Sequence, residues 1–328
     1  MSRRISIDLI ICTYNNAALL GETLAAISKQ QVSPDVDWQV TVVNNNCTDE
    51  TPEVVERHSR SSKMPLRMIF ERQQGLTPTR VRGARNSGAE WIAFVDDDCL
   101  LAEDWVEQAA RFALEYPRCG AFGGHIILLF EKTPPPYALG RPYLYAGANH
   151  GETAKRRKWV AGAGMVVRRA ALEDSGWLDK QFLEDRIGKR LVSGGDMEMS
   201  MRIAARHELW HNPRCKLRHI IPERRMTRQY VRGMIYGLGA SRHNSTALAW
   251  THSYPAWLLY SSLYSIGFLG LGVLHMLHEF VRGRSGFDVP IAVNPARGWC
   301  AAMWSMLRMD AFERRQLLGC AVPRNRNF

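Results

Sequence analysis

The sequence predicts an α/β fold with a mixed, mainly parallel sheet flanked by helices, followed by a C-terminal helical region. In the first half, short apolar segments alternate with segments whose apolar residues recur at helical spacing. Strands that alternate with helices form parallel sheets covered on both faces, and ligands bind beyond the carboxyl ends of such strands. The predicted strands are Ile5–Cys12, Trp38–Val43, Leu66–Phe70 and Trp91–Val95.

Helices are predicted between these strands. Leu20 and Leu24 belong to a helical repeat after the first strand. A second helix is expected to begin near Thr51, because Pro52 suits the first turn of a helix. The basic segment after the third strand is also predicted to be helical, and the fourth strand is followed by an amphipathic helix that begins near Trp105.

Composition and charge narrow the class of protein. The 328 residues are 46% hydrophobic, which is typical of a folded chain, and the net charge of +11 favours anionic partners such as nucleotides and lipid phosphates. Seven scattered cysteines without a CxxC pair argue against a disulfide framework or structural zinc and suit a reducing cytosol. The apolar run at the N-terminus is short and interrupted by Asp8, so it predicts a strand, not a signal peptide.

The C-terminal region contains a long apolar stretch. Residues 257–278 hold no Asp, Glu, Lys or Arg, and about 20 such residues can cross a bilayer. A single span would export the many arginines that follow it, against the positive-inside tendency. We therefore expect a re-entrant or in-plane helix pair interrupted by Gly267, Gly270 and Gly272, with "GWCAAMWSMLRM" as the second element, at the cytoplasmic face of the cell membrane. The alternative is a buried helix of a soluble or oligomeric protein.

Three polar clusters follow predicted strands: "CTYNN" at 12–16, "NNNCTDET" at 44–51 and "DDDC" at 96–99. We expect them to converge at one edge of the sheet. The three adjacent carboxylates need a counter-charge, and Mg²⁺ or Mn²⁺ carrying a diphosphate fits an all-oxygen site. Acidic runs also occur in phosphoaspartate receivers and in solvated turns.

Five features occur in the order expected of a family 2 glycosyltransferase with the GT-A fold: "IICTYNN", "VVNNNCTDET", "GLTPTR", "FVDDDC" and "GGDMEM". The chain resembles this family from about Ile5 to about Arg242. The resemblance implies transfer of a sugar from a nucleotide-diphosphate sugar to a hydroxyl acceptor, with inversion at the anomeric carbon. It suggests glycan or polysaccharide synthesis, with a glycan or a lipid-linked molecule as acceptor and Mn²⁺ or Mg²⁺ as cofactor.

The resemblance also implies roles for individual residues. The donor-binding positions are Thr13, Tyr14, Asn15, Asn44, Asn46, Asp49, Arg80, Asp96 and Asp97. The metal ligands are Asp98, Asp96 and His219, and the acceptor loop is Gly162, Ala163 and Gly164. Asp196 takes the place of the catalytic base.

Asp196 also has a physical argument of its own. An acceptor hydroxyl must lose a proton as it attacks, and a nearby carboxylate is a suitable base. The alternative is a helix cap, because Asp196 stands where a helix begins. Glu198 is the second candidate for the base, although we expect it to face solvent. Arg224, Arg225 and Arg228 are interpreted either as a grip on a diphosphate or lipid phosphate or as a basic helix face.

The sequence departs from the family pattern at several positions. Asn44 replaces an aspartate associated with base recognition, so a UDP-sugar is favoured without being fixed. Gly195 replaces the acidic residue that commonly precedes the base, and Val81 replaces an asparagine. Gly233 stands where processive polysaccharide synthases have tryptophan, which argues against processivity.

We predict a catalytic domain over 1–245, divided into a nucleotide-sugar half (about 1–125) and an acceptor half (about 126–245), followed by a membrane-associating region over 246–328. One alternative is a nucleotidyltransferase, although its glycine- and lysine-rich phosphate loop is missing. Another is a non-catalytic scaffold that binds a nucleotide or glycan at a membrane. Nucleic acid is not expected, because no basic stripe is interleaved with aromatic residues. The oligomeric state is left open.

Overall fold

The computed structural model describes residues 4–183, 185–186, 191, 194–282 and 288–322. Its described strands form one nine-stranded sheet. The strands are β1 (Ile5–Thr13), β2 (Val36–Asn44), β3 (Leu66–Phe70), β4 (Trp91–Asp96), β5 (Cys99–Leu101), β6 (Cys119–Phe130), β7 (Lys155–Arg157), β8 (Met165–Arg168) and β9 (Glu208–Ile221). The four strands that the sequence predicts are therefore confirmed, with ends that differ by two residues at most.

The strand order is β3-β2-β1-β4-β8-β6-β9-β5, and β7 pairs with β9. β1, β2, β3 and β4 are parallel where they pair, and β6 is parallel to β9. β8 is antiparallel to both of its neighbours, and β5 and β7 are antiparallel to β9. The sheet is thus mixed and mainly parallel, as the sequence predicts, with one parallel block formed by β1 to β4 and a second parallel pair formed by β6 and β9.

Eleven helices are described. They are α1 (Ala17–Ile27), α2 (Thr51–Ser61), α3 (Leu76–Asn86), α4 (Trp105–Glu115), α5 (Pro136–Leu139), α6 (Arg169–Asp174), α7 (Gly195–Ala204), α8 (Arg228–Leu248), α9 (Tyr254–Val281), α10 (Asp288–Arg308) and α11 (Ala311–Leu317). The predicted helices after β1, β2, β3 and β4 correspond to α1, α2, α3 and α4. Of the predicted boundaries, the one near 125 falls inside β6 and the one near 245 falls inside α8.

Both faces of the sheet are buried at β1 and β4, which explains why these two strands are almost continuously apolar. On one face, a core cluster includes Leu9 of β1 together with Leu24 of α1 and Phe112 of α4. On the other face, Ile10 of β1 packs in a cluster with side chains of α3 and α7, including Met199. This three-layer packing fixes the parallel strands in register, so that their carboxyl ends lie along one edge.

The C-terminal helices pack on α8 and on one another. Buried Trp257 of α9 donates from Nε1 to the sulfur of Met306 of α10, and Trp299 of α10 donates to the carbonyl of Ser261. At Gly239 of α8 an added Cβ would lie 2.0 Å from the carbonyl oxygen of Pro295, so the backbones of α8 and α10 approach too closely for a side chain there. The C-terminal helices are therefore packed closely against α8 and one another.

α9 is one continuous helix. The prediction that Gly267, Gly270 and Gly272 interrupt the apolar stretch is wrong, because a glycine inside a helix costs only about 1 kcal/mol and does not by itself break it. Within the described residues, Tyr254–His278 is the one helix long and apolar enough to cross a membrane by length and composition, with a mean hydropathy of 1.5. Only 22% of its most apolar window is buried, unlike a core helix of a soluble protein.

Candidate active site at the carboxyl edge of the sheet

The three polar clusters meet at the carboxyl edge of β1, β2 and β4, as the sequence predicts. Thr13 pairs with Asn44 across β1 and β2, and Cys12 pairs with Asp96 across β1 and β4. The Asp97 carboxylate joins the first and third clusters, because it accepts hydrogen bonds from Thr13 Oγ1 at 2.7 Å and from Asn16 Nδ2 at 2.8 Å. The strand register therefore places the clusters together, and side-chain hydrogen bonds fix them.

The first and second clusters are tied through two acceptors. Asn15 Oδ1 accepts from the Thr48 backbone N–H at 2.7 Å, and Asp49 Oδ2 accepts from the Ala17 N–H at 2.9 Å. Asn15 has a φ of 49°, in the left-handed region that asparagine tolerates better than most residues. These predicted donor-binding residues therefore shape the pocket wall through their own hydrogen bonds.

The remaining predicted donor residues differ in exposure. Tyr14 has an exposed side chain, so its ring is free to meet a ligand. Asn44 is fully buried, and its Oδ1 accepts from the Cys47 N–H at 2.8 Å. Asn46, at a φ of 60°, donates from Nδ2 to the Arg72 carbonyl at 2.9 Å. Asn44 thus stabilises the second cluster internally, and Asn46 ties it to the neighbouring segment at Arg72.

Asp98 is a buried carboxylate with partners at both oxygens. Its Oδ1 lies 3.1 Å from His219 Nε2, and its Oδ2 lies 2.8 Å from Arg225 Nη1. The antiparallel pairing of β5 with β9 sets Cys99 opposite His219, which brings this late histidine to the acidic cluster. Burial by itself raises the pKa of Asp98, but the charges of His219 and Arg225 outweigh burial and hold the pKa below its usual value.

The pKa of Asp97 is shifted in the opposite direction to that of Asp98. Burial, and next the neighbouring Asp98 charge, raise the pKa of Asp97 to about 7, although the hydrogen bonds from Thr13 and Asn16 lower it. Asp96 is only partly buried, and its Oδ1 lies 3.6 Å from Arg80 Nη2. The predicted counter-charge of the triple aspartate is therefore supplied in part by the arginines of the chain itself.

Four side chains could hold a metal ion: Asp96, Asp98, Cys99 and His219 each offer a ligand atom, and these atoms lie within 4.8 Å of one another. His219 Nδ1 bonds to the Tyr145 carbonyl at 2.8 Å, which directs Nε2 towards the cluster in the manner of metal-binding histidines. Burial raises the pKa of the Cys99 thiol well above its usual value. Mg²⁺ and Mn²⁺ are hard cations that prefer oxygen to sulfur, so Cys99 is the least suitable ligand of the four. Two carboxylates and one imidazole fit Mn²⁺ or Mg²⁺.

Asp196 lies in the first turn of α7 beside the predicted acceptor loop. Its Oδ2 accepts from the Gly162 N–H at 2.9 Å, and its Oδ1 accepts from the Met197 N–H at 2.8 Å. The carboxylate is partly exposed, and the helix N-cap is Gly194. A carboxylate held by two backbone donors and open to solvent on one side has the fixed position that a general base requires.

The acceptor loop is glycine-rich for a steric reason. A Cβ at Gly162 would lie 2.7 Å from Arg80 Nη2 and 3.1 Å from the Asp196 Cβ, so a side chain would disturb both. Gly164 has a φ of 72°, and its N–H donates to the Phe94 carbonyl of β4. Ala163, between them, is buried. The loop therefore links the candidate base to the strand that ends in the acidic cluster.

The prediction that Glu198 faces solvent is wrong. Glu198 is fully buried, accepts hydrogen bonds from the Phe182 and Leu183 N–H groups, and pairs with Arg202 at 2.8 Å. The segment around Phe182 covers this side of α7, which periodicity within the helix could not reveal. Because its oxygens are committed to these partners, Glu198 is a structural residue.

Sequence reasoning missed Asp185. This buried carboxylate lies 3.1 Å from Arg80 Nη1, so Arg80 is held between Asp185 and Asp96. A Cβ at Gly195 would lie 2.8 Å from Asp185 Oδ2, which explains why glycine precedes Asp196. No strand or helix pattern surrounds Asp185 in the sequence, and no local signal pointed to it.

Comparisons with known proteins agree with this geometry. The family model "Glycosyl transferase family 2" matches residues 8–176. Glycosyltransferase AglE of Haloferax volcanii is 24% identical over 196 residues, which cover 60% of each chain. Validoxylamine A glucosyltransferase of Streptomyces hygroscopicus subsp. limoneus is 31% identical over 103 residues, or 31% of this chain and 22% of that one. The matched region thus spans less than two thirds of these relatives.

Solved structures resemble the whole fold. The mannosyltransferase PcManGT from Pyrobaculum calidifontis, in complex with GDP-Man and Mn²⁺, has a TM-score of 0.57 at 20% identity, covering 98% of this chain and 87% of that one. S. aureus TarS 1–349 in complex with UDP-GlcNAc has a TM-score of 0.53 at 14% identity, covering 92% of each. Since the family model matches more than half of the chain, the chain belongs to glycosyl transferase family 2, and its fold is the GT-A fold of these solved neighbours.

Proposed function

We propose that the protein transfers a sugar from a nucleotide-diphosphate sugar to a hydroxyl of a glycan or lipid-linked acceptor, with inversion, and that it requires a divalent cation. The observation that carries this proposal is the convergence of Asp96, Asp98 and His219 at the sheet edge that also holds the Asp196 carboxylate. Among possible donors, UDP-sugars are favoured by the family resemblance, while the solved neighbours bind either UDP-GlcNAc or GDP-Man.

Each residue has a defined task in this reaction. Asp196, oriented by the Gly162 N–H, accepts the proton of the acceptor hydroxyl as its oxygen bonds to the anomeric carbon. The bond from that carbon to the diphosphate oxygen breaks, and the diphosphate leaves with the electron pair. Asp96, Asp98 and His219 would hold Mn²⁺ or Mg²⁺, which stabilises negative charge on the leaving diphosphate when bound.

Arg80 connects the two halves of the site. Its guanidinium pairs with Asp185 and Asp96, and it lies against the loop whose Gly162 N–H holds Asp196. The contacts bury Arg80 almost completely. We infer that Arg80 acts mainly by positioning the acidic cluster relative to the base, a more indirect role than contact with the donor.

The C-terminal helices support a location at the cytoplasmic face of the cell membrane. Trp257, Ser261 and Ser265 of α9 are buried, whereas the rest of the helix presents large apolar side chains to the exterior. These exposed residues are Leu259, Leu263, Ile266, Leu271, Leu274, Leu277, Phe280 and Val281. A helix with one packed face and one apolar exposed face suits a bilayer, and Arg282, where α9 ends, suits an anionic headgroup.

A donor panel tests the reaction. Purified full-length protein in detergent would be incubated with UDP- and GDP-sugars and with a polyprenyl-phosphate-linked or free glycan acceptor, with Mn²⁺ or with EDTA. We expect one donor to release its nucleoside diphosphate only when both cation and acceptor are present. Equal release in EDTA would overturn the metal requirement, and binding of no nucleotide by calorimetry would favour the scaffold alternative.

A further inference from the structure

A guanidinium nitrogen lies among the groups that we propose as metal ligands. Arg225 Nη1 is 2.8 Å from Asp98 Oδ2 and 3.3 Å from His219 Nε2, while the same Nε2 is 3.1 Å from the other Asp98 oxygen. Both the carboxylate and the imidazole therefore face a cationic group of the protein. Among the described residues, this is the shortest ion pair between an arginine and the triple aspartate, since Arg80 lies 3.6 Å from Asp96.

The position of Arg225 is built into the fold. Arg225 belongs to a 3-10 turn, Glu223–Met226, that connects β9 to α8. On one side of the turn the Glu223 N–H bonds to Glu131, and on the other Thr227 Oγ1 accepts from the Tyr230 N–H at the start of α8. Met226 anchors the turn in the cluster of α8 side chains. The turn therefore holds Arg225 over the acidic cluster.

A divalent cation and this guanidinium cannot share Asp98 at these distances without strong repulsion in a buried place. Arginine stays protonated at any pH that a protein tolerates, so it cannot give way by losing a proton. It has to move its head group away, and its long side chain permits this. The nearest new anion would be the diphosphate that accompanies the cation, and a planar guanidinium matches phosphate oxygens well.

We propose that Arg225 is the internal counter-ion of the donor-free site, that the divalent cation displaces it from Asp98, and that it then binds the diphosphate of the donor. The proposal rests on the metal requirement of the proposed function. It makes Arg225 a competitor of the metal alone and a partner of the metal-bound nucleotide. Loss of Arg225 should therefore strengthen metal binding and weaken nucleotide binding, whereas loss of a merely structural residue would weaken both.

The test compares Arg225→Gln with Arg224→Gln in the full-length protein. Arg224 is the adjacent residue of the same turn, and it contacts Asn16 Oδ1 at 3.4 Å instead of Asp98. Mn²⁺ affinity without nucleotide would be measured by calorimetry and by the paramagnetic resonance signal of free Mn²⁺. UDP and GDP affinity would then be measured at saturating Mn²⁺, and thermal melting would confirm that each variant is folded.

For Arg225→Gln we expect roughly tenfold tighter Mn²⁺ binding and roughly tenfold or more weaker binding of the nucleoside diphosphate, as for loss of a charged hydrogen-bond partner. Arg224→Gln should leave Mn²⁺ affinity near that of the wild type. Unchanged or weaker Mn²⁺ binding in Arg225→Gln would overturn the inference, and so would an equal gain in Arg224→Gln, which would indicate a general effect of net charge. If neither the wild type nor Arg225→Gln bound Mn²⁺, the metal requirement itself would fail; if both bound it equally, this inference alone would fail.

Discussion

The acidic edge of the sheet buries charged groups, whereas the outer face of α9 exposes apolar side chains. At the sheet edge, Asp98 is buried against Arg225 and His219, and buried Arg80 lies between Asp96 and Asp185. On α9, apolar side chains such as Leu263 and Leu274 are more than half exposed, and the described chain does not cover them. Buried charge without a partner and exposed apolar surface are both unfavourable. The acidic edge is therefore compensated by charges of the chain itself, whereas we propose that a bilayer covers the exposed apolar face of α9.

Asp196→Asn should give the largest effect, because it removes the proton acceptor from an otherwise complete site. General base catalysis contributes about 10²- to 10⁴-fold, so we expect kcat to fall by that factor. Binding of the donor with Mn²⁺ should stay within about twofold of the wild type, since Asp196 is not among the grouped ligand atoms. Initial rates and donor calorimetry on the same sample measure both quantities.

The matched control is Glu198→Gln, two residues along the same helix. It weakens the buried pair with Arg202, so it should lower thermal stability while the folded protein keeps its kcat. Normal turnover by Asp196→Asn, or loss of turnover in folded Glu198→Gln, would show that the base has been assigned to the wrong carboxylate.

Asp98→Asn tests whether the contacts of His219 and Arg225 with the Asp98 carboxylate stabilise the fold. The change removes the buried anion that Arg225 and His219 contact, and breaking a buried ion pair costs about 3–5 kcal/mol. We therefore expect a lower free energy of unfolding in urea together with loss of Mn²⁺ binding by calorimetry. A variant as stable as the wild type would mean that the contacts of His219 and Arg225 with Asp98 contribute little to the fold.

Much of the acidic edge was predictable because it depends on local pattern and on the geometry of parallel strands. Buried apolar runs define β1, β2 and β4, and the residues after them must lie at one edge. The same reasoning could not find Asp185 or the contact of Arg225 with Asp98. Both depend on where a loop or turn packs after the sheet has formed, and nothing in the neighbouring residues encodes that packing.

The helical errors have a related cause. Periodicity shows which residues share a face of a helix, but it does not show what covers that face. Glu198 was expected in solvent, yet the segment at Phe182–Leu183 turns its N–H groups towards it. For α9, the composition identified the apolar stretch. The three glycines were interpreted as interruptions, but glycine costs too little free energy inside a helix to break it, and α9 is continuous.

A paired substitution on α9 tests whether its exposed apolar face binds a membrane. Leu263→Asp with Leu274→Asp should reduce flotation with vesicles of phosphatidylcholine and phosphatidylglycerol by tenfold or more, since each buried leucine contributes about 1.5–3 kcal/mol. The fold should persist, because both side chains are already exposed. Leu114→Asp, at an exposed leucine of α4, is the control. Unchanged flotation would contradict membrane attachment, and a lipid-independent dimer that the paired variant dissociates would favour the oligomer alternative.

The smallest effect that we predict concerns Asp97, which forms no ion pair with an arginine among the described residues, unlike Asp96 and Asp98. Its pKa is raised to about 7 by burial and by Asp98, against 3.8 for an ordinary aspartate. Between these values the folded protein binds more protons at Asp97 than the unfolded chain does, so this group makes stability fall as pH rises from about 4 to about 7. Asp97→Asn removes that dependence, and the difference in free energy of unfolding between variant and wild type should shift in favour of the variant by on the order of 1 kcal/mol from pH 5 to pH 7.5. Urea titrations at the two pH values measure it, and Asp179→Asn at an exposed carboxylate should show no such shift. A difference that stays constant with pH would mean that Asp97 is ionised throughout, and that the arginines of the site compensate all three aspartates.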